Sequence, residues 1–251
     1  MSKHDSLFIA PGDLATALAL LTRLPIKARF ERGAKAAWAY PLVGVVLTLL
    51  AAVPTSLALT AGLDPSFAAL IWLACSMILT GAMHEDGLAD TVDGFWGGWD
   101  ISRRLEIMKD SQIGSYGVLA LCLSFAARWM AISMILVTDH WMLSLLVVAT
   151  LSRAAMPAVM CALPHARNTG LSQSQGRPSL ATAAVAALLA VALAVGILGT
   201  ASLALVIIAL GLVWTVTRIA KAKIGGQTGD ILGATQQLVE IGLLIALTLT
   251  A

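Results

Sequence analysis

Seven long apolar runs constrain this chain more than any other feature. They cover about 38–61, 65–83, 115–137, 141–163, 180–198, 201–217 and 234–251, each near the roughly 17–25 residues that a helix needs to cross a bilayer. Hydrophobic residues make up 59% of the chain, against about 45–50% in soluble domains, which excludes an ordinary soluble globule. In lipid each spanning segment must satisfy its own backbone polar groups. The expected fold is therefore all-α, a polytopic transmembrane helix bundle of about seven spans, and 251 residues leave no room for a second folded domain beside it.

The distribution of charge orients that bundle. The short connections near 62–64, 138–140 and 199–200 hold no Lys or Arg, while fourteen of the sixteen basic residues lie in the other connections and the amino-terminal segment. Lys and Arg mark the cytoplasmic side. The amino terminus, 84–114, 164–179 and 218–233 are thus expected in the cytoplasm, with the carboxyl terminus outside. Residues 12–24 are too short to span and read as an interfacial helix capped by Asp13 and ended by Pro25. The opening MSKHDSLFIAPGD has no basic stretch followed by an apolar run and a small-residue cleavage site, so a cleaved signal peptide is not expected. Cys75, Cys122 and Cys161 sit in apolar runs without ligand or disulfide spacing and read as small hydrophobes.

Against this background, His84–Gly94 stands out. Glu85, Asp86, Asp90 and Asp93 put four carboxylates into eleven residues of a chain that is only 12% charged. In a helix, Asp86, Asp90 and Asp93 fall within about 60° of one face, while Glu85 points roughly 100° away from Asp86. At an effective dielectric near 20, two like charges about 4 Å apart cost about 4 kcal/mol. Two readings remain open: a solvated acidic turn, or a site where a hard divalent cation such as Mg²⁺ shares the carboxylates with substrate phosphate. Arg103, Arg104 and Lys109 follow closely and could hold phosphate oxygens.

A second polar segment, Gly225–Gly233, carries four glycines and Asp230, the sole acid between Asp139 and Glu240. It reads either as a flexible hairpin or as an anion cradle at a helix start. It lacks the GK[ST] ending of a Walker A loop. Arg128 and Arg153 lie inside apolar spans, at a cost of roughly 2.5–3.5 kcal/mol each at a helix centre, and need a partner or a wet cavity. An ion pair with Glu240 is one solution for Arg128, and a substrate contact is the other.

Taken together, HEDGLADTVDGFWGG, LEIMKDSQIGSYG, SRAAMPAVMCALPHAR and GGQTGDILGATQQLVE, in this order from about residue 15 to 245, resemble cobalamin synthases, the adenosylcobinamide-GDP ribazoletransferases. The resemblance implies a transferase that joins adenosylcobinamide-GDP to alpha-ribazole or its 5′-phosphate, releases GMP and needs Mg²⁺. It implies a metal set of Asp86, Asp90 and Asp93 with Glu85 beside them, and an aspartate of the set or His84 as proton acceptor. Lys109, Arg153 and Arg104 would then steady phosphate, and Gly226, Thr228 and Asp230 would hold nucleotide or a second metal. The same resemblance implies a multi-pass protein of the bacterial inner membrane with its site facing the cytoplasm, the lipid bilayer as partner, no nucleic acid, and room for a homo-oligomer. Asp90–Gly94 is also similar to part of the CDP-alcohol phosphotransferase motif, the main alternative. A divalent-cation transporter is a weaker one, since its acids belong near the bilayer midplane.

Overall fold

In the computed structural model, residues 9–249 are described, and the reading of the first eight residues as signal-free lies outside them. Eleven α-helices appear: α1 (Asp13–Leu21), α2 (Tyr40–Thr60), α3 (Pro65–Thr80), α4 (Met83–Gly97), α5 (Ile101–Ile107), α6 (Ser115–Ile135), α7 (Trp141–Ala162), α8 (Leu171–Gln175), α9 (Leu180–Leu198), α10 (Ser202–Ile224) and α11 (Gly229–Thr248). Two 3₁₀ segments, Phe30–Ala39 and Gly199–Ala201, join them. Extended pairing among the described residues is limited to one isolated bridge between His165 and Gln227.

The protein is a multi-pass helical membrane protein, and among the described residues five stretches are long and apolar enough to cross a bilayer, or six if α3 and α4 count as one bent span. That count differs from the expected seven at two breaks. The first lies between α3 and α4, which meet at 86°. Gly81 (φ +66°) and Ala82 (φ +54°) both adopt the left-handed conformation there, and a side chain at Gly81 would collide with Arg23. The second is Gly199 (φ +58°), which breaks the 45-residue stretch Leu180–Ile224.

Helices α7 and α11 form the centre. α7 packs on α2, α9, α10 and α11, and α11 also packs on α4, α6 and α10. Of the most apolar window of α7, 83% is buried, against 17% for Leu180–Ile224. The latter therefore forms an outer wall, facing lipid with its Ala, Leu, Val and Ile surface.

The amino-terminal unit is tied down by charge. Asp13 is fully buried, and Arg32 donates to both of its oxygens at 2.6 and 3.0 Å. Trp38 Nε1 and the Ala10 amide donate to Oδ2 as well. The cap position itself is Gly12, so Asp13 acts as a tertiary clamp and not as the expected helix cap.

The expected loop 218–233 is mostly helix. α10 runs on to Ile224, where Lys221 and Lys223 in its last turn complement the helix dipole and Gly225 closes it in the left-handed conformation (φ +76°). Thr228 Oγ1 accepts the Ile231 amide and starts α11 at once.

Candidate active site

Two helices bring the acids together because their backbones touch. A Cβ on Gly87 of α4 would lie 2.9 Å from the Asp230 carbonyl oxygen, and one on Gly233 of α11 would lie 3.2 Å from the His84 Cα. Only glycine permits this approach. The crossing sets Asp86 and Asp90 of α4 against Asp230 of α11, although 140 residues separate the last two in the chain.

The charges of Asp86, Asp230 and Asp93 all act on Asp90, opposed by Arg167. Arg167 Nη2 pairs with Asp230 Oδ2 at 3.1 Å, and Thr228 Oγ1 donates to the same oxygen. Three acids meeting one guanidinium leave a surplus of negative charge. Asp86 is exposed and Asp90 half-buried, so both remain open to a ligand. Among the described residues no three His, Cys, Asp or Glu side chains converge into a metal cage made by protein alone.

Two cavities flank α4, and Asp86 lines both. One is a narrow space of about 160 Å³ between α1, α4, α7, α8 and α11, walled mainly by apolar side chains. The other, about 520 Å³, is the more polar of the two: Glu85, Asp90, Lys109, Asp110, Ser111 and Gln112 border it beside apolar side chains. Asp86 is therefore the common wall. His84 lines the narrow cavity; it is buried and its Nε2 has no hydrogen-bond partner.

Other residues singled out by sequence are placed elsewhere. Glu85 turns away from the aspartates: its Oε1 accepts from Arg128 Nη1 at 2.8 Å and from Gln237 Nε2 at 3.3 Å, inside the bundle. That direction follows from its position about 100° round the helix from Asp86. Arg128 also approaches Glu240 at 3.6 Å, so its ion pair has two acceptors. Arg153 is buried, donates to the Ala149 carbonyl, and shares a small inner cavity with Glu240.

Asp93 is on the expected face but is occupied locally. Its two oxygens accept the Gly114 and Gly117 amides at 2.7 and 2.8 Å, at the start of α6. A Cβ at either glycine would strike this carboxylate. Arg104 donates to the carbonyls of Gly98, Trp99 and Lys223, bracing α5 against the end of α10. Gly226 lies so close to the Pro164 carbonyl that no side chain fits. The Gln227 amide donates to that carbonyl, and Ala166 donates back to Gln227. Gly226 and Thr228 thus shape the turn before α11.

Sequence reading missed Arg167, Gln175 and the apolar wall. Arg167 lies in a short polar loop pinned by Gln227, which is nearly fully buried, pairs with the backbone of Pro164 and Ala166, and sits 2.9 Å from His165 Nδ1. Burial, with the charge of Arg177 next, holds the His165 ring below its ordinary pKa.

The fold and site define a polytopic membrane protein with an acid-rich cleft at the meeting of two helices. Residues 13–248 match the cobalamin-5-phosphate synthase family, to which the chain belongs. It is 43% identical over 244 residues to the adenosylcobinamide-GDP ribazoletransferase of Bradyrhizobium diazoefficiens, covering 93% of this chain and 92% of that protein. The proteins of that name from Sinorhizobium medicae and Mesorhizobium japonicum are 41% and 40% identical, covering 94% and 93% of this chain and 96% and 91% of theirs. No solved structure matches the chain.

Proposed function

We propose that the protein is an adenosylcobinamide-GDP ribazoletransferase: it joins adenosylcobinamide-GDP to alpha-ribazole or its 5′-phosphate, and GMP leaves. The observation that carries this reading, beside family membership, is the position of Asp86 between two cavities of different size and polarity. A reaction that joins two unlike substrates needs such a shared boundary.

The reaction is a phosphoryl transfer. An acceptor ribose hydroxyl oxygen forms a bond to the cobinamide-side phosphorus, the P–O bond to the GMP group breaks, and GMP takes the electron pair. The hydroxyl proton passes to Asp86, the exposed carboxylate on the boundary. Lys109, bordering the polar cavity, faces the anionic diphosphate. Arg153 and Arg104 have no part in this step, being engaged inside the bundle and on backbone carbonyls.

Asp90 and Asp230 would hold Mg²⁺, which leaves the Asp86 carboxylate free to take the proton. Mg²⁺ commonly takes one or two protein carboxylates and completes its shell from substrate phosphates and water, so an incomplete protein cage with excess negative charge suits it. When bound it supplies neutralisation of diphosphate charge. Glu85 belongs to the buried ion pair and Asp93 to the start of α6, and neither is needed as a ligand.

The cleft faces the cytoplasm of the bacterial inner membrane on this reading, because the segments around it carry most of the Lys and Arg. The test uses the purified protein in nanodiscs with Mg²⁺, adenosylcobinamide-GDP and alpha-ribazole, following GMP release. Turnover that disappears in Asp86→Ala, with insertion and melting unchanged, supports the reading. Wild-type protein that releases no GMP, or full activity in Asp86→Ala, defeats it. Neither the lipid-phosphotransferase nor the cation-transporter alternative gains an observation of its own.

A further inference from the structure

The narrow cavity carries an assignment of its own. Its walls include Leu20 from α1, Tyr40 from α2, Met156 and Met160 from α7, and Leu232 from α11. Methionine and aromatic side chains are surfaces on which a flat ring packs well. The volume, about 160 Å³, is below the roughly 300–1,000 Å³ of sites that enclose a drug-sized ligand, and is close to the engineered cavity of about 150 Å³ that takes benzene. Leu20, Met83, Leu171 and Gln175 also line a neighbouring cavity of about 560 Å³, so the narrow part matches one flat ring system and the rest of a ligand has space to extend outward.

The cavity is nevertheless not purely apolar. Three residues on its lining have a buried polar atom without a hydrogen-bond partner: His84 Nε2, Arg167 Nη1 and Gln175 Oε1. His84 is 98% buried, from its relative exposure of 2%. Leaving such groups unpaired costs about 1–3 kcal/mol each, so they point to an occupant that brings its own donors and acceptors. The backbone is shaped for one of them: Gly33 (φ +46°) sits where any Cβ would strike the Gln175 carbonyl, which brings α8 against the amino-terminal unit.

We propose that this cavity is the seat of the flat heteroaromatic base of the acceptor nucleoside, with Asp86 at the ribose edge; this rests on the transferase reading above. The base packs between Met156, Met160 and Leu20, and the three unpaired atoms receive the polar rim of base and ribose. The larger donor enters from the opposite side of Asp86, through the polar cavity. The seat sets which lower base is accepted, by size.

The experiment uses the protein in nanodiscs, with GMP release as the assay and alpha-ribazole and adenosylcobinamide-GDP varied separately. Leu20→Trp, at a half-buried position on α1, is expected to raise KM for alpha-ribazole at least tenfold and leave KM for the donor within twofold. Met160→Ala is expected to lower KM for a ribazole whose base carries one additional fused ring. In the wild-type protein the same extension should raise KM at least tenfold over the unextended base, a measurement that needs no variant to fold. A flat response of wild-type KM to base size, or a Leu20→Trp effect on the donor instead of the acceptor, overturns the seat while leaving the transferase reading intact. Absence of GMP release from wild-type protein with both substrates would instead remove the reading beneath it.

Discussion

Two groups of charges lie on α4 one residue apart, and they behave in opposite ways. Glu85 faces the bundle, where Arg128, Glu240 and Gln237 surround it and opposite charges meet. Asp86 faces outward beside the half-buried Asp90 and Asp230, where like charges meet and Arg167 alone among the pairs found opposes them. A buried charge must be paired, because an uncompensated one is costly. An exposed acidic group has no such requirement, so an excess kept there signals a ligand. The comparison separates holding the helix from using it.

The sharpest break of that contrast is Asp86→Ala. Turnover should fall at least about ten-thousandfold, about 5 kcal/mol in the barrier, with the melting temperature unchanged; both come from GMP release and thermal unfolding of one preparation. Next is Arg128→Ala, which strands Glu85 inside the bundle. It should destabilise by about 3–5 kcal/mol, and Arg128→Met with Glu85→Gln should recover most of the loss in the same thermal assay. If the pair variant is inactive but stable, Glu85 belongs to the chemistry after all.

Gly87→Ala tests the contact that joins the two acidic helices. Its Cβ would meet the Asp230 carbonyl at 2.9 Å, and overpacking of this kind costs about 1–3 kcal/mol. Activity should drop more than stability, because Asp230 shifts relative to Asp86; equal losses would deny the crossing a role in geometry. Asp93→Ala removes acceptors from the start of α6 and should cost about 0.5–2 kcal/mol, the range for a lost helix cap. Added Mg²⁺ should not restore it, whereas restoration would return Asp93 to the metal set.

The smallest effect at neutral pH concerns Asp13. Burial pushes its carboxyl up, but Arg32, Trp38 and the Ala10 amide outweigh that and hold its pKa below the ordinary 3.8. A depressed acid contributes stability that is fully present above its unfolded value and is lost as pH falls through its folded one. Melting should therefore be flat in pH near neutrality for this clamp and weaken below about pH 4. Asp13→Asn should remove that acid dependence.

Much of this was legible in the chain. Apolar runs of spanning length required a helical membrane bundle, and the spacing of Asp86, Asp90 and Asp93 put them on one side of a helix, with Glu85 off it. Sequence could not show that Asp93 would face two amides 21 and 24 residues downstream, since helical periodicity fixes an angle and not a neighbour. The glycines near Asp230 looked like an anion cradle for the same reason. Glycine marks a close approach, but what approaches Gly226 is the Pro164 carbonyl, and what approaches Gly233 is α4.

By itself the sequence determined the solvent of this protein and its local angles, because hydrophobic length and helical pitch are properties of adjacent residues. Tertiary structure alone decided which acids meet. Asp230 joins Asp86 because two glycines on different helices let backbones touch, and Arg167 joins them because a loop is pinned by Gln227. Charge interactions depend on distance in space, and only the packed bundle sets that distance.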